Sequence, residues 1–97
     1  MIFAFAEADR PLLQARENLM LAKGMIEAGK VQDARIELKA ASDSLAEYSK
    51  MGVGEHRANQ ARVLREEINA VSKEVGKNPS GVEQKITGLW DKIVNWF

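Results

Sequence analysis

The sequence contains no cysteine, a single histidine and two prolines among its 97 residues. Without cysteine the chain can form no disulfide and has neither a thiolate metal ligand nor a cysteine nucleophile. A zinc site needs at least three histidine, cysteine or carboxylate ligands, so the lone His56 argues against one. These absences predict a protein with no metal and no cofactor.

Charge of one sign and long apolar runs are also lacking. The 14 basic and 14 acidic side chains give a formal net charge of zero. Because a surface that binds nucleic acid normally carries an excess of basic residues, we expect no nucleic-acid partner. No apolar run approaches the roughly 18–20 residues that span a bilayer.

Motifs for catalysis are missing as well. Residues 52–54 are rich in glycine but do not have the spacing of a phosphate-binding loop. The carboxylates Glu66, Glu67 and Glu74 are typical of a solvated helix face, on which Arg62 and Glu66 would pair at i,i+4. We therefore predict that the protein is not an enzyme and has no catalytic residue.

What the sequence does contain is helical periodicity. Apolar residues recur at alternating spacings of three and four in two successive stretches, as in amphipathic helices. Asp9 is a good N-cap for the first stretch, and Gly29 is placed to end it in the left-handed C′ conformation. Because the connection is so short, residues 9–49 are predicted to form an antiparallel helical hairpin.

Two more helices are predicted in the second half. The spacing indicates a third helix over residues 55–75, ended by Gly76 at its C′ position. Ser80 and Glu83 match a capping box, which predicts a fourth helix over residues 80–97 with a strongly apolar face. The fold class is therefore all-α, an antiparallel three- or four-helix bundle with an amphipathic C-terminal helix.

The whole chain, residues 1–97, is predicted to be one domain. Its apolar N-terminal segment, residues 1–8, would cover one end of the bundle. The stretch Ala4-Phe5-Ala6 before Glu7 is also similar to the end of a secretory signal. This pattern predicts an exported, periplasmic protein, with a native start and a cytoplasmic location as the alternative.

Residues 21–41 resemble the inner part of a tetratricopeptide repeat. Asn18 and Ala46 stand where that motif has its tryptophan and its closing proline, and no second copy follows. The matching positions are Leu21, Ala22, Met25, Gly29, Ala34, Leu38 and Ala41.

The run "ARENLMLAKGMIEAGKVQDARIELKAASDSLAEY", residues 15–48, is also similar to the helical hairpins of the YfdX family. That family comprises small all-helical bacterial proteins, mostly exported, with a stress-related role and a tendency to associate. The resemblance implies an exported, self-associating protein and carries over no catalytic residue.

The predicted function is a non-catalytic module for protein interaction or self-association. The last helix could pack on its own bundle, on a partner or on a membrane; a peripheral membrane-binding or small-ligand-binding bundle is the alternative function. The residues expected to line an interaction surface are Leu21, Met25, Ile36, Tyr48, Trp90, Trp96 and Phe97.

Overall fold

A computed structural model of the chain describes residues 9–95. It contains four α-helices: α1 (Asp9–Glu27), α2 (Val31–Ser49), α3 (Glu55–Glu74) and α4 (Pro79–Val94). No β-strand occurs within residues 9–95. The prediction of an all-α helical bundle is therefore confirmed, with four helices. The predicted covering role of residues 1–8 lies outside the described part of the chain.

The helices form an up-and-down bundle in which each helix contacts two neighbours. α1 packs on α2 and α4, α2 packs on α3, and within residues 9–95 the backbones of the diagonal pairs do not approach each other closely. α3 and α4 contact each other least. The bond from Arg35, near the start of α2, to Ser72, near the end of α3, joins opposite ends of these helices, as antiparallel packing requires, and Asn18 in the middle of α1 bonds to Glu37 of α2.

The core consists of the apolar stripes that the periodicity predicts. Burying a large aliphatic side chain stabilises a fold by roughly 1.5–3 kcal/mol, so this shared core outweighs the contribution of any surface contact. Alanines on facing stripes let the helices approach closely. The buried residues are Leu12, Ala15, Leu19, Ala22, Ile26, Ala34, Leu38, Ala41, Leu45, Tyr48, Ala61, Leu64, Ile68, Val71, Val75, Val82, Ile86, Leu89 and Ile93.

The turn between α1 and α2 confirms the expected left-handed glycine. Gly29 has φ +77°, and its N–H donates to the carbonyl of Ile26 at 3.0 Å. The N–H of Lys30 donates to the carbonyl of Met25 at 2.7 Å. This pair of bonds is a Schellman motif, which satisfies carbonyls that the end of a helix would otherwise leave unpaired.

The end of α3 differs from the prediction. Gly76 does not adopt a positive φ, so it is not a left-handed C′ residue. Instead, Arg35 of α2 donates from Nε to the carbonyl of Ser72 at 3.3 Å. A Cβ at Gly76 would come within 3.2 Å of the Arg35 guanidinium. The glycine therefore makes room for an arginine that caps the last turn of α3.

The start of α4 corrects the capping-box prediction. The N-cap is Asn78, whose side chain accepts from the N–H of Gly81 at 3.3 Å, and the helix begins at Pro79. Asparagine is a strong N-cap, and proline suits the first helical position because its missing N–H would be unpaired there anyway. The helix ends at Val94, with Asn95 as its C-cap.

Candidate interaction site

The least closely packed pair of helices leaves a groove open to solvent. This α3–α4 groove has a wide end of about 520 Å³ and a narrower middle of about 350 Å³, which share Glu67 and Lys92 in their walls. Its remaining lining residues are His56, Asn59, Gln60, Val63, Leu64, Ala70, Val71, Glu74, Lys85, Gly88, Leu89 and Asn95.

The floor of the groove is apolar. Leu64, Val71 and Leu89 are core residues that retain 3–4% exposure. Val63 lies beside them at the wide end and is 43% exposed. Exposure of an apolar strip to water raises the free energy of the protein. Burial of this strip against other apolar groups would therefore be favourable.

Two ion pairs cross the groove from helix to helix. Lys92 Nζ of α4 lies 3.0 and 3.2 Å from the two carboxylate oxygens of Glu67, and Lys85 Nζ lies 2.6 Å from Glu74 Oε2. All four side chains are substantially exposed, so each pair is worth at most about 1 kcal/mol. The charges are segregated, with the acidic groups on α3 and the basic groups on α4.

Small residues keep the middle of the groove open. Gly88 has no side chain, and a Cβ added there would meet no atom within 4 Å. Ala70 faces the same space from α3. Glycine therefore does not serve close helix packing at position 88; it leaves the space between the helices unfilled.

The expected interaction residues do not gather on one surface. Leu21 on α1 is 43% exposed and Ile36 on α2 is 65% exposed, but Ile36 lies in a different cleft, between α2 and α3. Met25 and Trp90 are half-buried and pack against the core. None of these four side chains lines the α3–α4 groove.

Tyr48 lies in the core. Its side chain is completely buried, and its hydroxyl accepts a hydrogen bond from Arg57 Nη1 at 3.0 Å. The ring is therefore enclosed in the bundle and is not part of an exposed surface. Trp96 and Phe97 lie outside the described residues, so their place on an interaction surface stays a prediction.

The side chains that could carry chemistry are either exposed, as His56 is, or held in ion pairs, as Glu66, Glu67 and Glu74 are. His56 is exposed at the wide end of the groove. Arg62 and Glu66 form the expected i,i+4 pair, at 3.0 Å. Between residues 9 and 95, no three histidine or acidic side chains are grouped so that they could hold a metal ion. None of the described helices is both long enough and apolar enough to cross a membrane.

Sequence reasoning placed Glu67 and Glu74 on a solvated helix face but did not predict that they pair with Lys85 and Lys92 across the groove. A signal for these pairs exists, because Glu67 and Glu74 are seven residues apart on α3 and Lys85 and Lys92 are seven apart on α4. Opposite charges that recur every seven residues on two antiparallel helices are typical of helix edges joined by ion pairs. The opening between the helices has no comparable signal.

Comparisons of the chain with protein-family models, with curated proteins and with solved structures find no match. The geometry of the described residues is therefore the basis for a functional proposal.

Proposed function

We propose that this protein is a non-catalytic interaction module that associates with a second copy of itself through the α3–α4 groove. The observation that supports this proposal is an apolar floor bordered by one acidic and one basic edge. Interaction surfaces commonly combine an apolar centre with a polar rim.

Charge complementarity favours a second copy as the occupant. In a two-fold dimer the same patch of each subunit meets its counterpart. A two-fold axis beside the groove would bring the α3 edge with Glu67 and Glu74 to the partner's α4 edge with Lys85 and Lys92. Each acidic group would then be shared between two lysines, and the exposed Val63 would be covered.

A small apolar ligand is the second candidate. The wide end of the groove, about 520 Å³, lies within the range of small-molecule sites. A ligand would compete with self-association, because both would cover Val63 and the floor around Leu64. An environment-sensitive naphthalene sulfonate dye distinguishes the two: enhanced emission from the monomer at low concentration supports the ligand site.

Sedimentation equilibrium over a wide concentration range tests self-association. The proposal predicts an average mass that rises above the 10.8 kDa of the monomer. Val63→Arg should weaken association by about tenfold or more, equivalent to about 1.4 kcal/mol, because it places an uncompensated charge on the apolar strip. A mass of 10.8 kDa at every concentration would contradict the proposal.

Met20→Arg is the matched control. Met20 is 49% exposed on α1, comparable to Val63, but it does not line the groove. It should leave the association constant unchanged. Equal weakening by both substitutions would show that association depends on general surface apolarity rather than on the groove.

A further inference from the structure

A second cleft, between α2 and α3, has a different character. It has a volume of about 680 Å³, and we call it the basic cleft. Four of its lining side chains are cationic, and only Asp43 is acidic. Its lining residues are Gln32, Arg35, Ile36, Lys39, Ser42, Asp43, Arg65, Asn69, Ser72 and Lys73.

Three of the four cations have no acidic partner in the described part of the chain. Lys39 pairs with Asp43 at 3.1 Å, but no ion pair within residues 9–95 involves Arg35, Arg65 or Lys73. The α3–α4 groove is the opposite case, since both of its lysines are neutralised. Unpaired cations collected in one cleft create a local positive potential in a chain whose net charge is zero.

Arg65 adds an independent observation. Its Nε is buried and has no hydrogen-bond partner. A buried donor without an acceptor costs roughly 1–3 kcal/mol, and because this atom is closed to solvent, a partner's acceptor can satisfy it only when the arginine side chain turns outward into the cleft. Carboxylates are suitable acceptors because they bind a guanidinium through two parallel hydrogen bonds.

Ile36, the apolar residue among these cations, indicates which class of anionic partner fits the cleft. Ile36 is 65% exposed, the largest exposed fraction among the exposed large apolar side chains of the described residues. A phosphate group or a nucleic-acid backbone offers nothing to cover it. An acidic amphipathic helix presents both apolar side chains and carboxylates.

We propose that the basic cleft docks an acidic amphipathic helix of a partner protein. An apolar side chain of that helix covers Ile36, and its carboxylates accept hydrogen bonds from Arg65 and from the ammonium group of Lys73. Arg35 contributes charge while it caps α3 through Ser72. The cleft is separate from the α3–α4 groove, so this proposal does not depend on self-association.

A labelled synthetic peptide provides the probe. It has about 18 residues, five helical turns, with leucines on one stripe and glutamates on both flanks. Fluorescence anisotropy with the full chain should give saturable binding that weakens several-fold between about 50 and about 300 mM salt. Absence of binding at about 1 mM peptide would mean that the binding free energy is weaker than about 4 kcal/mol, and this result would overturn the proposal.

The first pair of variants tests the apolar contact. Ile36→Ser should weaken peptide binding by about fivefold or more and leave its salt dependence unchanged, because it removes apolar area and no charge. Met20→Ser, at another exposed apolar side chain, is the control and should bind as the parent chain does. A peptide with serine in place of leucine should bind as weakly as the Ile36 variant. Full binding by that serine peptide would overturn the apolar part of the proposal.

The second pair tests the charges. Arg65→Gln with Lys73→Gln should weaken binding by about tenfold or more and reduce the salt dependence. Lys50→Gln with Lys77→Gln removes the same charge from exposed positions outside the cleft and should have little effect. Circular dichroism checks that each variant is folded. If the double variant Arg65→Gln with Lys73→Gln is unfolded, the single variant Lys73→Gln is measured in its place. Equal losses from both double variants overturn the proposal.

Two further arms separate this proposal from its competitors. Tighter binding of duplex DNA or of anionic vesicles that is lost in the Arg65 and Lys73 variant would assign the cleft to a phosphate-bearing surface and overturn the peptide proposal. Val63→Arg should leave peptide binding intact. If the unmodified chain stays monomeric at every concentration and still binds the peptide, the result would contradict the proposed self-association and support the basic cleft.

Discussion

Gly88→Ala is predicted to stabilise the fold. Gly88 lies in the middle of α4, its φ is not positive, and an added Cβ would meet no atom within 4 Å. The substitution therefore brings the helix propensity of alanine without a steric cost. Glycine in a helix interior is less favourable than alanine by about 0.8–1.0 kcal/mol. No loss of packing offsets this gain.

In a domain of 60–100 residues, about 1 kcal/mol raises Tm by roughly 4–8 °C. Thermal unfolding followed by circular dichroism at 222 nm, at one fixed protein concentration, measures the shift. Denaturant unfolding should give the same free-energy change with an unchanged m-value. A Tm that stays constant or falls would refute the reasoning, because it would mean that α3 and α4 meet closely at position 88.

Two other glycines serve as controls, because an added Cβ has open space at each of them as well. Gly24→Ala, in the last turn of α1, should stabilise by less than Gly88→Ala because helix ends fray. Gly29→Ala should destabilise by about 1–2 kcal/mol, since Gly29 has φ +77° and an alanine there is strained. The three substitutions change the same atoms, so opposite signs isolate backbone conformation as the cause.

Four other substitutions test the core, a partly buried hydrogen bond and a helix cap. Leu38→Ala should lower the free energy of unfolding by about 2–5 kcal/mol in urea titration, because the side chain is completely buried; a loss below about 1 kcal/mol would contradict its burial. Tyr48→Phe should cost about 0.5–1.5 kcal/mol through loss of the bond from Arg57, and an unchanged midpoint would show that this bond contributes nothing. Asn78→Ala should cost about 1 kcal/mol in the same assay and Ser80→Ala much less; the reverse order would restore Ser80 as the N-cap.

Much of the fold could be predicted because it depends on local pattern. Leu38 belongs to a stripe of apolar residues spaced three and four apart. This spacing identifies the buried face of α2 from the sequence of that helix alone. Gly29 could be predicted for the same reason, since the three residues between α1 and α2 leave few turn geometries. Each of these predictions depends on residues within one or two helical turns.

The cap of α4 shows where local pattern is ambiguous. Ser80 and Glu83 fit the capping box, but Asn78 followed by Pro79 also fits a helix start, two residues earlier. Gly76 shows a second limit. Its neighbour Arg35 comes from another helix, so the sequence around position 76 carries no sign that the arginine ends α3.

The candidate sites depend on distances between helices, which periodicity does not determine. The α3–α4 groove exists because two helices with ordinary apolar stripes remain apart around Gly88. The basic cleft depends on which faces of α2 and α3 meet, since Arg35 and Arg65 are thirty residues apart in the sequence. Register between helices is therefore the information that the sequence alone did not provide.

A dilution series followed by amide ¹H–¹⁵N correlation spectra tests the association through the α3–α4 groove most directly. The account predicts that chemical shifts which change with protein concentration cluster at Val63, Ala70 and Gly88, while the amide of Leu21 on the far side of α1 stays constant. Spectra that do not change with concentration, or changes centred on Leu21, would contradict it.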